Sequence, residues 1–203
     1  MAERLSDGNA AIALLGNTLP TGAMLVVLIL LFGPLSGAHL NPAVSLIFRL
    51  RGELSTGDFS LYVAAQIAGA IAGVLAAHVM FDLPLWQLST KARTGLAQQV
   101  SEFVASFGLT LTIVGCLARA PGSIAYAVGL YITAAYWFTA STSFANPAVT
   151  IARSLSDTFA GIAPTGAPGF IIAELLGALA GYATARWLYS PATTRADGRR
   201  AES

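Results

Sequence analysis

From Gly8 up to Arg49 the chain contains no Asp, Glu, Lys or Arg, and the same holds from Phe59 to Phe81 and from Gly122 to Ile151. Two further stretches, Leu96 to Ala118 and Ala163 to Ala185, each hold a single acid, Glu102 or Glu174. Runs of this length cannot give a soluble domain its charged coat, whereas about 20 consecutive apolar residues are what a helix needs to cross a bilayer. The whole chain conforms, being 55% hydrophobic and 10% charged with a mean hydropathy of +0.67. A helix satisfies its own backbone in lipid. We therefore expect an all-α membrane protein with five spanning helices, at roughly 11–35, 59–81, 97–118, 122–141 and 168–189.

Several function classes fall away. A formal net charge of +1 with no basic run argues against a nucleic-acid partner. The single cysteine, Cys116, excludes an internal disulfide and a multi-cysteine metal site, and no cofactor is expected. There is no His-Glu-x-x-His, no Gly-x-Ser-x-Gly and no cluster of acids at one depth, so no enzyme is expected. The first residues, MAERLSDGN, are neither apolar nor strongly basic and do not form a signal peptide.

The phrase Asn-Pro-Ala-Val occurs in HLNPAVS (His39 to Ser45) and again in FANPAVT (Phe144 to Thr150), 105 residues later. AQIAGAIAG (Ala65 to Gly73) and AELLGALAG (Ala173 to Gly181) match at an offset of 108. Two independent matches at nearly one offset indicate an internal duplication, which in membrane proteins often means inverted halves about a central site. We expect one domain over 1–203, with a first repeat at 1–96 and a second at 97–203. Each repeat reads as spanning helix, Asn-Pro-Ala segment, spanning helix. The second has an additional leading helix, 97–118, whose counterpart would fall mostly before Met1. The first repeat is thus expected to lack its leading helix, through a late start, a shortened chain or genuine loss. If the spans alternate, Arg49, Arg51, Arg119, Arg186, Arg195, Arg199 and Arg200, seven of the 11 Lys and Arg residues, share one side. By the positive-inside tendency that side is cytoplasmic.

Asn-Pro at the head of a short apolar run is a helix start: Asn caps, and Pro is tolerated at the first helical position because its missing N–H would be unpaired there anyway. The runs from Pro42 to Phe48 and from Pro147 to Ser154 hold 7 or 8 residues. They would be about 11 Å long, well short of the hydrocarbon thickness. Irregular backbone at that depth is tolerated only inside protein or beside a water-filled cavity. Two half-helices meeting N-terminus to N-terminus would each bring roughly half a positive charge, and Asn41 and Asn146 would add amide donors. Such a centre hydrogen-bonds water or polyols and repels protons and cations.

These motifs resemble those of the aquaporin, or major intrinsic protein, family. The likeness rests on SGAHLNPAV (Ser36 to Val44), the second Asn-Pro-Ala at 146–148, and the AQIAG and AELLG helices, and it extends over residues 10 to 190. It implies an aquaporin-like inverted repeat whose motifs are Asn41, Pro42, Ala43 and Asn146, Pro147, Ala148, and a homotetramer in the plasma membrane. The family norm is six spanning helices, against five expected here. The family also carries a glutamate in each half that supports the half-helix loop. Glu102 matches the second, and the partner of Glu102 would lie in the absent leading helix. His39 is expected to order the loop before Asn41 or to sit beside the pore.

The same resemblance implies an outer selectivity filter at four positions: 20 residues before the first motif Asn, 12 and 3 before the second, and 3 after it. Here those are Thr21, Ala134, Ser143 and Val149. Water-selective members resemble Phe, His, a small residue and Arg, and glycerol facilitators resemble Trp, Gly, Phe and Arg. This chain matches neither set. Val in place of Arg removes five donors and a fixed charge, so the expected ring is broad, uncharged and mildly polar. The stretch YWFTASTSFANPAVTIARSLSDTFAGI (Tyr136 to Ile162) resembles a bacterial, arsenite-associated aquaglyceroporin-like subgroup.

The expected function is a passive channel for small neutral solutes: glycerol-like polyols, undissociated arsenous acid and water. A water-selective channel and an inactive or structural family member are the alternatives. Arg153, four residues beyond Val149, either lines the outer mouth or pairs with Asp157. His78 is expected at the membrane interface and Glu174 buried or interfacial. Gly69, Gly73, Gly177 and Gly181 are expected to permit close helix packing.

Overall fold

The computed structural model describes residues 1–189; Arg195, Arg199, Arg200 and the end of the second repeat lie outside them. A short turn of helix, α1 (Ala2–Leu5), precedes α2 (Ala10–Ser36), α3 (Pro42–Leu50) and α4 (Thr56–Met80). After a loop come α5 (Leu96–Arg119), α6 (Ile124–Phe138), α7 (Pro147–Arg153) and α8 (Ala167–Tyr189). Among the described residues, α2, α4, α5 and α8 are long and apolar enough to cross a membrane.

The fourth expected span, 122–141, is shorter than expected: it is the 15-residue helix α6, preceded by a 3-10 turn at Pro121–Ser123. Its end has a local cause. Thr139 leaves the helical region (φ −109°, ψ 139°) while its hydroxyl donates back to the Ala135 carbonyl at 2.7 Å, so the chain turns inward toward Asn146. The other span ends fall within about three residues of expectation. Large apolar side chains such as Leu31, Leu130, Trp137, Ile172 and Trp187 face outward, the inverse of a soluble protein and what lipid requires.

Two close helix crossings set the frame. Gly177 and Gly181 on α8 lie against the backbone carbonyls of Phe103 and Phe107 on α5, so that a Cβ at either glycine would collide with them. Gly22 on α2 likewise meets the Gly129 carbonyl and the Thr133 side chain on α6. The expectation for Gly69 and Gly73 is corrected: a Cβ there would meet nothing within 4 Å, because α4 touches the two short helices α3 and α7 but no long helix among the described residues. His78 is the single buried residue of α4.

Side-chain pairing runs in parallel in the two halves of the chain. In the first half Gln66 donates to the Ser45 hydroxyl at 2.9 Å. In the second half the Thr150 hydroxyl donates to Glu174 at 2.7 Å. Ser45 and Thr150 occupy equivalent half-helix positions, as Gln66 and Glu174 do on the long helices. Each pair pins a half-helix to the helix that follows it. Glu174 is fully buried, and its carboxylate is held by that hydroxyl.

Candidate functional site

Both Asn-Pro-Ala segments start helices as their chemistry demands. Asn41 and Asn146 share extended backbone (φ −159° in each). The Asn41 side-chain oxygen accepts from the Ala43 amide at 2.9 Å, and that of Asn146 accepts from the Ala148 amide at 3.0 Å. Their NH2 groups then cross between repeats. Asn41 Nδ2 donates to the Ala145 carbonyl at 2.7 Å, and Asn146 Nδ2 donates to the Leu40 carbonyl at 2.9 Å. Each asparagine therefore caps its own half-helix and ties down the loop of the other.

That exchange needs unusual backbone. Leu40 and Ala145 are left-handed (φ 45° and 47°), as are Ala38 and Ser143 (φ 47° and 48°). Non-glycine residues in this region cost on the order of 1 kcal/mol or more each. The strain is offset by what it permits, namely carbonyls turned toward the opposite asparagine.

In the second half Glu102, fully buried, adds two braces: its carboxylate accepts from the Phe144 amide at 2.9 Å and from the Ala145 amide at 2.7 Å. In the first half His39, also buried, packs its ring against Phe48 and Tyr62 at centroid distances of 4.2 and 5.2 Å, and its Nδ1 lies 3.3 Å from the Ser45 hydroxyl. His39 both orders the loop and lines the cavity described next.

A cavity of about 570 Å³ runs past both asparagines. Phe48, Leu117 and Pro121 stand at one end and Thr21, Tyr136 and Arg153 at the other. Thr21, Ser143 and Val149 line it as expected. Ala134 does not. It is exposed on the outer face of α6, and the cavity instead meets Ala125, Val128, Ile132 and Tyr136. These four follow the helical period, and Ala134, two residues from both Ile132 and Tyr136, is about 200° round the helix from each. The fixed count of 12 residues back from Asn146 lands on the wrong face.

Of the two alternatives for Arg153, the structure has it lining the cavity. Its guanidinium donates to the Tyr136 hydroxyl at 2.9 Å and lies 4.3 Å above the centre of the Phe144 ring. The alternative partner, Asp157, is engaged elsewhere, accepting from the Thr90 amide at 2.8 Å and the Thr90 hydroxyl at 3.0 Å.

Sequence reasoning passed over Arg93. It is 7% exposed, donates to the carbonyls of Gly161, Ser141 and Phe159, and sits 5.1 Å from the centre of the Phe144 ring. Burial and then the neighbouring Arg153 charge pull its pKa down to about 10, leaving it protonated at neutral pH. One available signal was the basic pair Lys91 and Arg93 in the loop between α4 and α5.

His78, expected at the interface, is corrected to a buried residue that ties loops together. Its Nδ1 is 3.0 Å from the Leu85 carbonyl and its Nε2 is 3.1 Å from the Ser156 hydroxyl.

Residues 2–122 match the family model described as Major intrinsic protein. The chain is 58% identical over 192 residues to the aquaglyceroporin AqpS of Rhizobium meliloti (strain 1021), covering 95% of this chain and 82% of the relative. It is 31% identical over 167 residues to a probable aquaporin of the NIP type from Nicotiana alata, covering 79% of this chain and 60% of that one. Among solved structures, the aquaglyceroporin from Plasmodium falciparum superposes with a TM-score of 0.62 at 20% identity, over 90% of this chain and 83% of that one, a likeness of fold.

Proposed function

The chain belongs to the major intrinsic protein family and forms a membrane channel for small solutes; on that premise we propose that its solutes are neutral and hydroxylated, namely glycerol-like polyols, undissociated arsenous acid and water. The observation that carries this reading is Val149. It stands in the cavity wall three residues after Asn146, where an arginine would narrow the passage and fill it with donors. Thr21 adds a hydroxyl to the same stretch of wall, and the paired asparagines supply donors deeper in. The positive ends of α3 and α7 face that centre and disfavour protons and cations.

In this reading Asn41, Pro42, Ala43, Asn146, Pro147 and Ala148 form the central constriction. Thr21, Tyr136, Ser143 and Val149 form the outer ring, with Tyr136 in the place first expected of Ala134, and Glu102 and His39 act as supports. The two repeats, 1–96 and 97–203, make one channel domain, which assembles as a homotetramer in a bacterial plasma membrane.

The test is solute uptake into proteoliposomes. Val149→Arg puts a second guanidinium beside Arg153 and is expected to lower glycerol and arsenite flux about tenfold or more through lost width and like-charge crowding. Unchanged flux would remove this account of the ring. One observation favours the alternative of an inactive or structural member: the glycine face of α4 is uncovered among the described residues. Wild-type protein that reconstitutes but passes neither glycerol nor water faster than empty liposomes would decide for that alternative.

A further inference from the structure

Resting on the neutral-solute reading above, we infer that Arg153 is the specificity-determining residue of this channel, a fixed cation that replaces the charge absent at Val149 from one helical turn further out. Arg153 lines the central cavity and also a second cavity of about 410 Å³, which His78, Ser156 and Phe159 line as well. It is the residue the two linings share, so we place the neck of the passage at its guanidinium, one turn outside Val149.

The guanidinium is positioned rather than loose. The Tyr136 hydroxyl holds one of its nitrogens and the Phe144 ring lies beneath it, with Arg93 near the same ring. Phe144 is itself fixed, because its amide is bound by Glu102 and its ring packs edge-on against Phe170 at 5.3 Å. Asp157 is occupied by Thr90. Glu3, which lines the second cavity together with Arg4, accepts from the Phe159 amide at 3.1 Å and forms no ion pair with Arg153.

A solute at the neck meets the N–H groups of Arg153 that Tyr136 leaves unused. They suit a small neutral molecule that carries an acceptor oxygen, and their charge excludes a cation of the same size.

Urea and guanidinium make the test direct, because they share shape and size and differ in charge. Wild-type protein, Arg153→Ala, Arg153→Lys and Tyr136→Phe are reconstituted, and the guanidinium-to-urea permeability ratio is measured at neutral pH. We expect a low ratio for wild type and for Arg153→Lys, which keeps the charge. Arg153→Ala should raise the ratio about tenfold or more as the cation at the neck is lost. Tyr136→Phe should raise it less, by freeing the guanidinium from its anchor. An Arg153→Ala ratio equal to wild type overturns the inference while leaving the neutral channel intact, and an Arg153→Lys ratio equal to that of Arg153→Ala does the same. Wild-type liposomes that pass urea and glycerol no faster than empty ones overturn the channel reading itself, and this inference with it.

Discussion

Replacing Glu102 by alanine is expected to abolish solute flux and to leave little protein that survives purification in detergent. The carboxylate is the acceptor for two consecutive buried amides, those of Phe144 and Ala145. Ser143 and Ala145, on either side of Phe144, are left-handed, so the loop has no regular ladder to fall back on. Each buried amide left without a partner costs about 1–3 kcal/mol. The pair therefore removes a large share of the 5–15 kcal/mol that typically separates folded from unfolded.

The damage also reaches the centre of the cavity, because the Ala145 carbonyl holds Asn41. Glu102→Gln keeps one acceptor but turns an NH2 group toward the second amide, so it should fall close to alanine. Thermal melting in detergent and glycerol uptake would report both effects. A Glu102→Ala protein with wild-type melting and flux would show that the carboxylate is not the brace described here.

The second large effect is expected at Gly177. A leucine there has no room, because even a Cβ would run into the Phe103 carbonyl, and the α5–α8 contact is the most extensive helix pair in the protein. Overpacking typically costs about 1–3 kcal/mol where side chains can shift. Here the obstacle is backbone, so α8 must move away from α5 as a unit and carry Glu174 away from Thr150. Gly177→Leu should therefore aggregate or lose flux. Gly69→Leu at the equivalent place on α4, where a Cβ meets open space, should change neither by much in this 203-residue chain. Size-exclusion profiles of the two variants make the comparison. Equal losses at both glycines would mean that the α4 face is covered in the membrane.

The features legible in the sequence are those set by local chemistry. Charge-free length fixed where the long helices run, because lipid leaves no other place for such segments. Asn-Pro fixed where α3 and α7 begin, because the cap and the missing N–H both act within one turn. The offset between the repeats aligns Ser45 with Thr150.

What sequence alone could not supply was rotation and long-range pairing. Ala134 and Tyr136 are two residues apart and both lie on α6. The packing of α6 against α2 and α5 decides which of them faces inward, and those contacts are long-range. Arg153 could meet Asp157 at helical spacing, but Thr90, 67 residues away in sequence, had already taken the carboxylate. Arg93 lies in a loop whose partners are carbonyls, and carbonyls leave no mark in a sequence.

The crossed asparagine bonds also bear on the order of assembly. Asn41 finds its acceptor 104 residues further along the chain, and Asn146 finds its own 106 residues back. Contacts of such separation are slow to form, because the entropy of closing the intervening loop is lost before any bond rewards it. During synthesis, α3 must therefore wait with its asparagine NH2 group uncommitted until the chain as far as Ala145 has entered the membrane. Neither repeat can finish its own centre. A ribosome stalled between residues 100 and 140 should hold an intermediate with long helices but an open, protease-sensitive segment around Asn41.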